Sequence, residues 1–246
     1  MSTVMRAESR AASGFRPSFY FWMTLLMAFF VFGGFGMTYW YPLATGTFPQ
    51  APPVVHLHGA VYFSWIILLV TQSALVNSRN VALHRSLGMF GIALATGVIA
   101  MGTLITILGA STVAEPVGNH GILLGVTAVT GFGFLFTLAM RNTRNPSVHR
   151  RLILFAMLPI LPPGIHRLYM VPFGMTTFPV VPMYMTLDAM AIAIIVHEWR
   201  TSGTINKYTW IGAGWIVMQQ IFHAAVINTE WFGRVVLWLG SLAHYR

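Results

Sequence analysis

Seven stretches of the chain are almost wholly apolar, and short polar connections separate them. They lie at about 19–41, 54–76, 86–110, 119–140, 152–171, 178–197 and 208–228. A helix needs roughly 20 residues to cross the hydrocarbon of a bilayer, and each stretch reaches or approaches that length. The pattern therefore predicts an all-α fold, a polytopic membrane bundle of about seven transmembrane helices.

The two ends of the chain have patterns of their own. Residues 1–18 are mostly polar, so we expect a cytoplasmic N-terminal arm followed by a single transmembrane bundle over residues 19–246. The first span is long and lacks a small-residue cleavage pattern, which favours a retained anchor over a removed signal peptide. The apolar stretch at 231–242 is too short to span, and we expect it to lie in the membrane interface.

Composition agrees with a membrane location. Apolar residues make up 56% of the chain and charged residues only 8%, and the mean hydropathy is +0.70. Soluble domains average about 25% charged residues, so this chain has too few to cover a water-facing surface. The formal charge of +9 comes from basic residues in the connections between spans. That placement indicates contact with membrane lipid and gives no sign of nucleic-acid binding.

Basic residues also predict the orientation. The first, third and fifth connections contain no Lys or Arg. The basic residues before the first span and in the second, fourth and sixth connections are Arg6, Arg10, Arg16, Arg79, Arg85, Arg141, Arg144, Arg150, Arg151, Arg200 and Lys207. Because basic loops stay on the cytoplasmic side, this alternation predicts an N-terminus inside and a C-terminus outside. We expect an integral protein of the bacterial inner (plasma) membrane.

Two segments of the chain, at about 54–110 and 119–171, follow one plan, a tandem two-helix repeat. The first begins with His58-Gly59 and continues, after a turn, with His84-Arg85; the second begins with His120-Gly121 and continues with His149-Arg150. Asn80 and Asn145 lie in the two turns as N-caps of the helices that carry His84 and His149. About 18 residues, or roughly 27 Å of helix, separate the opening histidine from the turn. Each unit therefore places one histidine near the outer face and one near the inner face.

The repeat pairs histidines from different helices. Two such units packed about an axis along the membrane normal would bring His58 opposite His120 and His84 opposite His149. Facing imidazoles from two helices are the arrangement that axial ligation of a haem requires. The pattern predicts two b-type haems, one near each face, that transfer electrons across the membrane. His56 is an alternative to His58, since both cannot point from one helix at the same partner.

Over about residues 54–171 this histidine placement resembles the cytochrome b561 class of transmembrane electron carriers. In that family four histidines, one on each of helices two to five, bind two haems. The resemblance implies that His58 and His120 ligate the outer haem iron, and that His84 and His149 ligate the inner one. It also implies a membrane oxidoreductase that reacts with a quinone, an ascorbate-like small reductant or a metal ion. A seventh span departs from the family pattern.

A second resemblance carries no chemistry. The strings His-x-His-Gly and His-Arg-x-Leu-Gly are similar to those of small bacterial integral membrane proteins without an assigned activity.

The fifth predicted span contains a break and a cation. Pro162, Pro163 and a following glycine interrupt the helical hydrogen bonds just before His166 and Arg167. Asp188 is the acidic residue nearest the middle of a span. One expectation is an Arg167–Asp188 ion pair that locks two helices. The other is a polar pocket in which Arg167 binds a haem propionate, or in which a quinol lies against His166, Tyr169, Tyr184 and His223.

Other functions remain open from the sequence. The outer histidines offer an alternative metal site, formed by His56, His166 and His223 together with His58 and His120, for iron or copper in a di-metal oxidoreductase. The chain has no cysteine, which excludes iron–sulfur clusters and thiolate sites. A non-catalytic assembly or scaffold subunit with unknown partner subunits is the third hypothesis. His197-Glu198-Trp199-Arg200 is expected to be an interfacial anchor.

Overall fold

The computed structural model describes residues 17–244, which are helical except for short connections. Most of the predicted arm at 1–18, with Arg6, Arg10 and Arg16, lies outside the described residues. The α-helices are α1 (Phe19–Phe35), α2 (Tyr41–Ala44), α3 (Pro53–Asn77), α4 (Val81–Ser111), α5 (His120–Arg141), α6 (Pro146–Met157), α7 (Pro162–Phe173), α8 (Val180–Ser202), α9 (Lys207–Val226) and α10 (Glu230–Ser241). A π-helical turn (Gly36–Trp40) joins α1 to α2, and 3₁₀ turns occur at Leu158–Ile160 and Leu242–His244.

Residues 17–244 contain five to seven candidate membrane-spanning helices. Five segments are long and apolar enough to cross a membrane: Phe19–Ala44, α3, α4, α5 and α8. Two bent pairs raise the number to seven if each is one span; α6 and α7 meet at 49°, and α9 and α10 at 101°. The prediction of an all-α polytopic membrane protein is confirmed at this level. The apolar stretch at 231–242 forms α10, and its place relative to the membrane surface stays a prediction.

The helices that carry His84 and His149 each begin with an asparagine N-cap. The side chain of Asn80 accepts a hydrogen bond from the Leu83 amide (3.3 Å), and that of Asn145 accepts one from the Val148 amide (3.4 Å). Both predicted N-caps are confirmed. A cap fixes where the first turn begins, so His84 and His149 occupy the same position, four residues beyond the cap.

Five helices pack as a ring, and further helices pack against this ring. Around the ring, α1 contacts α3, α3 contacts α4, α4 contacts α5, α5 contacts α6, and α6 contacts α1. Helix α7 packs on α1 and α8, and helix α9 packs on α5, α6 and α8. We call the end of the bundle with the turns at 78–80 and 142–145 the basic end, because Arg79, Arg85, Arg144 and Arg150 lie there. The other end, with the connections at 45–52, 112–119 and 174–179, is called the opposite end.

Aromatic side chains fill the middle of the ring between the two ends. The Trp65 ring lies edge-on to Phe132 (5.2 Å between centroids) and Phe136 (5.6 Å), and its indole N–H donates to the Met157 sulfur at 3.0 Å. Trp65 is 5% exposed and Phe132 is fully buried. This tightly packed layer excludes water and separates the polar groups of the basic end from those of the opposite end.

Candidate functional site

Two histidines of the predicted repeat lie at the basic end. His84 lies on α4 and His149 on α6, each four residues beyond an asparagine cap. The Nδ1 atom of His149 lies 2.9 Å from the Ala139 carbonyl oxygen, so that nitrogen carries the proton and donates. The lone pair of His149 is then on Nε2. An imidazole held in this tautomer by a backbone carbonyl is suited to ligate a metal through Nε2.

The surroundings of His84 include buried polar atoms that have no partner. The Nδ1 of His84 and the side-chain carbonyl oxygen of Gln72 are buried without a hydrogen-bond partner among the described residues. The Gln72 amide nitrogen donates to the His84 backbone oxygen at 3.1 Å and thereby holds the two helices in register. Buried polar atoms are normally satisfied, so an unpartnered imidazole nitrogen at the same end of the bundle as an oriented imidazole is compatible with a bound group that both histidines would ligate.

The other predicted pair is not assembled in the same way. The His58 ring packs on Tyr62 (4.2 Å between centroids) and lies beside the backbone of Met101 on α4, with its Nδ1 buried and unpartnered. The Nδ1 of His120 instead lies 2.8 Å from the Nε2 of His223 on α9. Among the described contacts, His58 therefore belongs to the α3–α4 interface, and His120 to the α5–α9 interface.

A hydrogen-bonded chain of three side chains lies at the opposite end. His223, which is 2% exposed, uses both ring nitrogens: Nε2 faces His120, and Nδ1 lies 2.5 Å from the Tyr184 hydroxyl. Phe178 stacks on the His120 ring (5.0 Å) and lies equally close to the His166 ring (5.0 Å). Helices α5, α8 and α9 thus meet through His120, Tyr184 and His223, with His166 of α7 on the far side of Phe178.

The expected Arg167–Asp188 ion pair is wrong. Arg167 donates to the Thr38 hydroxyl (3.0 Å) and the Pro163 carbonyl (2.5 Å), and its guanidinium lies over the Phe35 ring at 4.3 Å. Asp188 accepts a hydrogen bond from the Gln220 amide at 2.6 Å. Arg167 on α7 faces α1, whereas Asp188 on α8 faces α9, so the two side chains point into different interfaces. The hydroxyl of Tyr169, which the pocket hypothesis included, is bonded to Thr186 at 2.9 Å.

The alternative metal site of histidines is spread over separate places. His56 is bonded through Nδ1 to the Tyr39 hydroxyl (2.8 Å) and lines an open cavity of about 400 Å³ with Phe48 and Gln50. His166 is bonded through Nδ1 to the Pro162 carbonyl at 2.9 Å. Across residues 17–244, no group of three or more His, Cys, Asp or Glu side chains is placed to hold a metal ion.

A buried ion pair near the basic end was not predicted from the sequence. Arg151 Nη1 lies 2.8 Å from Glu198 Oε1, and the two side chains are 8% and 2% exposed. The Glu198 carboxylate also accepts hydrogen bonds from the Thr209 hydroxyl (2.5 Å) and from the backbone N–H of Asn206 (3.1 Å). Together with the ion pair, these bonds connect α6, α8 and the start of α9. The expected interfacial anchor is therefore wrong for Glu198. Its helical spacing from the apolar residues Ala191 and Ile194 on the same face was the available signal.

Comparisons of the chain with models of protein families, with curated protein sequences and with solved structures found no match.

Proposed function

We propose that this protein is a membrane electron carrier that binds a b-type haem between His84 and His149 at the basic end. The observation that carries the proposal is the state of these two imidazoles. One is oriented by the Ala139 carbonyl with Nε2 left for a ligand bond, and the other has a buried Nδ1 without a partner. Both occupy the same position after an asparagine cap, on helices α4 and α6, which do not follow each other around the ring.

The residues around this pair would orient the two histidines and supply positive charge to the bound group. When bound, haem b supplies a one-electron couple of its iron. The Ala139 carbonyl fixes the tautomer and ring orientation of His149, and Gln72 holds the α4 backbone at His84. The next residues, Arg85 and Arg150, bring positive charge to the basic end, where the propionates of such a haem would need it. The Trp65 layer keeps water from entering the site from the middle of the ring.

The proposal covers one haem. His120 is not included among the ligands, because its Nδ1 is engaged with His223 and its ring is stacked on Phe178. A second haem between His58 and His120 stays a prediction of the repeat. By the positive-inside rule the basic end lies at the cytoplasm, which makes a cytoplasmic redox partner the expected one for the His84–His149 site.

Absorption spectroscopy on the purified protein tests the proposal. The protein is expressed with a haem precursor in the medium, purified in detergent, and reduced with dithionite. We expect the sharp visible bands of a six-coordinate b-type haem and about one haem per chain by pyridine haemochrome assay. The variants His84→Ala and His149→Ala should each lose these bands.

His197→Ala is the matched control. His197 lies in the last two turns of α8 near the basic end, where its ring stacks on Phe19 at 4.1 Å, so its loss perturbs packing at a similar depth without removing a proposed ligand. This variant should keep the haem content of the parent protein. The absence of haem bands in well-folded parent protein would overturn the proposal and leave the scaffold hypothesis. Haem that survives both ligand substitutions would overturn the assignment of His84 and His149.

A further inference from the structure

The strongest unassigned feature is a run of polar side chains between α8 and α9 in the half of the bundle next to the opposite end. We propose that it forms a hydrated proton path from His120, through His223 and Tyr184, to Gln219 and Asp188. The proposal is independent of the haem, because none of these residues belongs to the His84–His149 site.

The hydrogen-bond chain can pass a proton and leave His120, His223 and Tyr184 neutral afterwards. His223 has one ring nitrogen toward His120 and the other toward Tyr184, so a neutral His223 must donate to one neighbour and accept from the other. When a proton binds to His120 at Nε2, the Nδ1 proton of His120 moves to His223 Nε2. The Nδ1 proton of His223 then moves to the Tyr184 oxygen, and Tyr184 releases its own hydroxyl proton to water beside Gln219, which passes a proton to the Asp188 carboxylate. One proton enters, one leaves, and each group ends neutral.

The next acceptor lies one helical turn further into the bundle. Tyr184 and Asp188 are four residues apart on α8 and are bonded to His223 and Gln220 on α9. These two bonds are successive contacts of an antiparallel helix pair, so about 6 Å of helix rise separates them. A carboxylate at this depth in a span marks an ion or proton pathway more often than a packing contact.

Gln219 provides the evidence for water between these contacts. It is 2% exposed, and neither its amide nitrogen nor its amide oxygen has a hydrogen-bond partner among the described residues. It lies four residues from His223 on the same face of α9. The indole nitrogen of Trp215, a further four residues along that face, is also buried and unpartnered. Donors and acceptors grouped in this way are the conditions under which buried water binds.

Other charged or titratable groups near the path are few. His166 shares Phe178 with His120, and Arg167 lies 3.4 Å from the Nε2 of His166. Both belong to α7 and are hydrogen-bonded to carbonyls of their own helix. They lie beside the entrance at His120 and take no part in the chain from His223 to Asp188.

The absence of cysteine from the chain permits a direct test. In a Gln219→Cys variant the new thiol is the only one, and Ag⁺, a small water-soluble ion that binds thiols, is added to one side of oriented vesicles. Thiols left unblocked are then alkylated in denaturant and counted by intact mass. We expect Ag⁺ to block the thiol when it is added at the opposite end and not when it is added at the basic end.

Two variants control the experiment. Ile216→Cys places a thiol on the same face of α9, about one turn deeper than Gln219, at a site that is 2% exposed among apolar side chains, and it should not react with Ag⁺ from either side. Adding His223→Phe to Gln219→Cys should abolish blocking, because the phenyl ring closes the polar route. If Gln219→Cys does not fold, His223→Cys is the second reporter on the same face. A folded reporter that stays unreactive from both sides, or a Gln219→Cys thiol that reacts as fast with His223→Phe present, would overturn the proposal.

Discussion

Removing the Glu198 carboxylate should destabilise the bundle strongly. Glu198→Ala leaves the Arg151 guanidinium buried without its charge partner, and it removes the acceptor for the Thr209 hydroxyl and the Asn206 amide. Breaking a buried ion pair from one side typically costs about 3–5 kcal/mol. Both side chains are less than one tenth exposed, so solvent does not screen the loss appreciably.

The assay is reversible unfolding in mixed micelles of dodecyl maltoside and increasing dodecyl sulfate, followed by far-UV circular dichroism and tryptophan fluorescence. Glu198→Ala should lower the free energy of unfolding by about 3–5 kcal/mol. A double replacement, Arg151→Met with Glu198→Leu, should restore most of that loss, because two apolar side chains leave no unpaired charge in the interior.

The second ion pair of the described residues is the matched control. Arg234 and Glu230 on α10 are 3.9 Å apart, with side chains 69% and 94% exposed, so Glu230→Ala should leave the free energy of unfolding unchanged within error. If Glu198→Ala lost no more than Glu230→Ala, or if the double replacement were as unstable as Glu198→Ala, the reasoning from a buried, mutually dependent pair would be refuted.

Two glycine contacts give further stability predictions in the same assay. A Cβ at Gly34 would overlap the Gly164 carbonyl, so Gly34→Ala should push α1 from α7 and cost about 1–3 kcal/mol, whereas Gly36→Ala, with open space at the Cβ, should not. A Cβ at Gly212 would overlap the Phe155 ring, so Gly212→Ala should destabilise, and the control Gly214→Ala should not. Equal effects of a variant and its control in either pair would contradict the reasoning.

The fold class was predictable because its signal is repeated along the chain. Uninterrupted apolar stretches near 20 residues can only be buried in a bilayer or in a core that this chain is too short to build. Asn80 and Asn145 marked two helix starts, because an asparagine before a helix satisfies amides that nothing else reaches. The bends were harder to foresee. Pro162 and Pro163 indicate a break, but its angle depends on how α7 packs against α1 and α8.

The partners of individual polar side chains were less predictable. Arg167 and Asp188 lie at a depth where an ion pair is favourable, yet pairing also depends on which way each helix is rotated. The local sequence predicts how a helix is rotated about its own axis only where one face of the helix is clearly more apolar than the other. Helix α8 is apolar on most sides, so its sequence did not reveal that Asp188 meets Gln220 and that Glu198 meets Arg151.

The histidines of the two predicted repeat units have different surroundings at the two ends of the bundle, because each unit packs against different helices. At the basic end, His84 on α4 and His149 on α6 lie at the same position after their asparagine caps, as the predicted repeat requires. At the opposite end the second unit also packs against α9, whose His223 bonds to the Nδ1 of His120, whereas the first unit packs against α1 and α10, and the Nδ1 of His58 has no hydrogen-bond partner among the described residues. The added helix breaks the equivalence of His58 and His120. A later helix that supplies a competing hydrogen-bond partner, as α9 does with His223, can therefore prevent a pairing that a sequence repeat predicts.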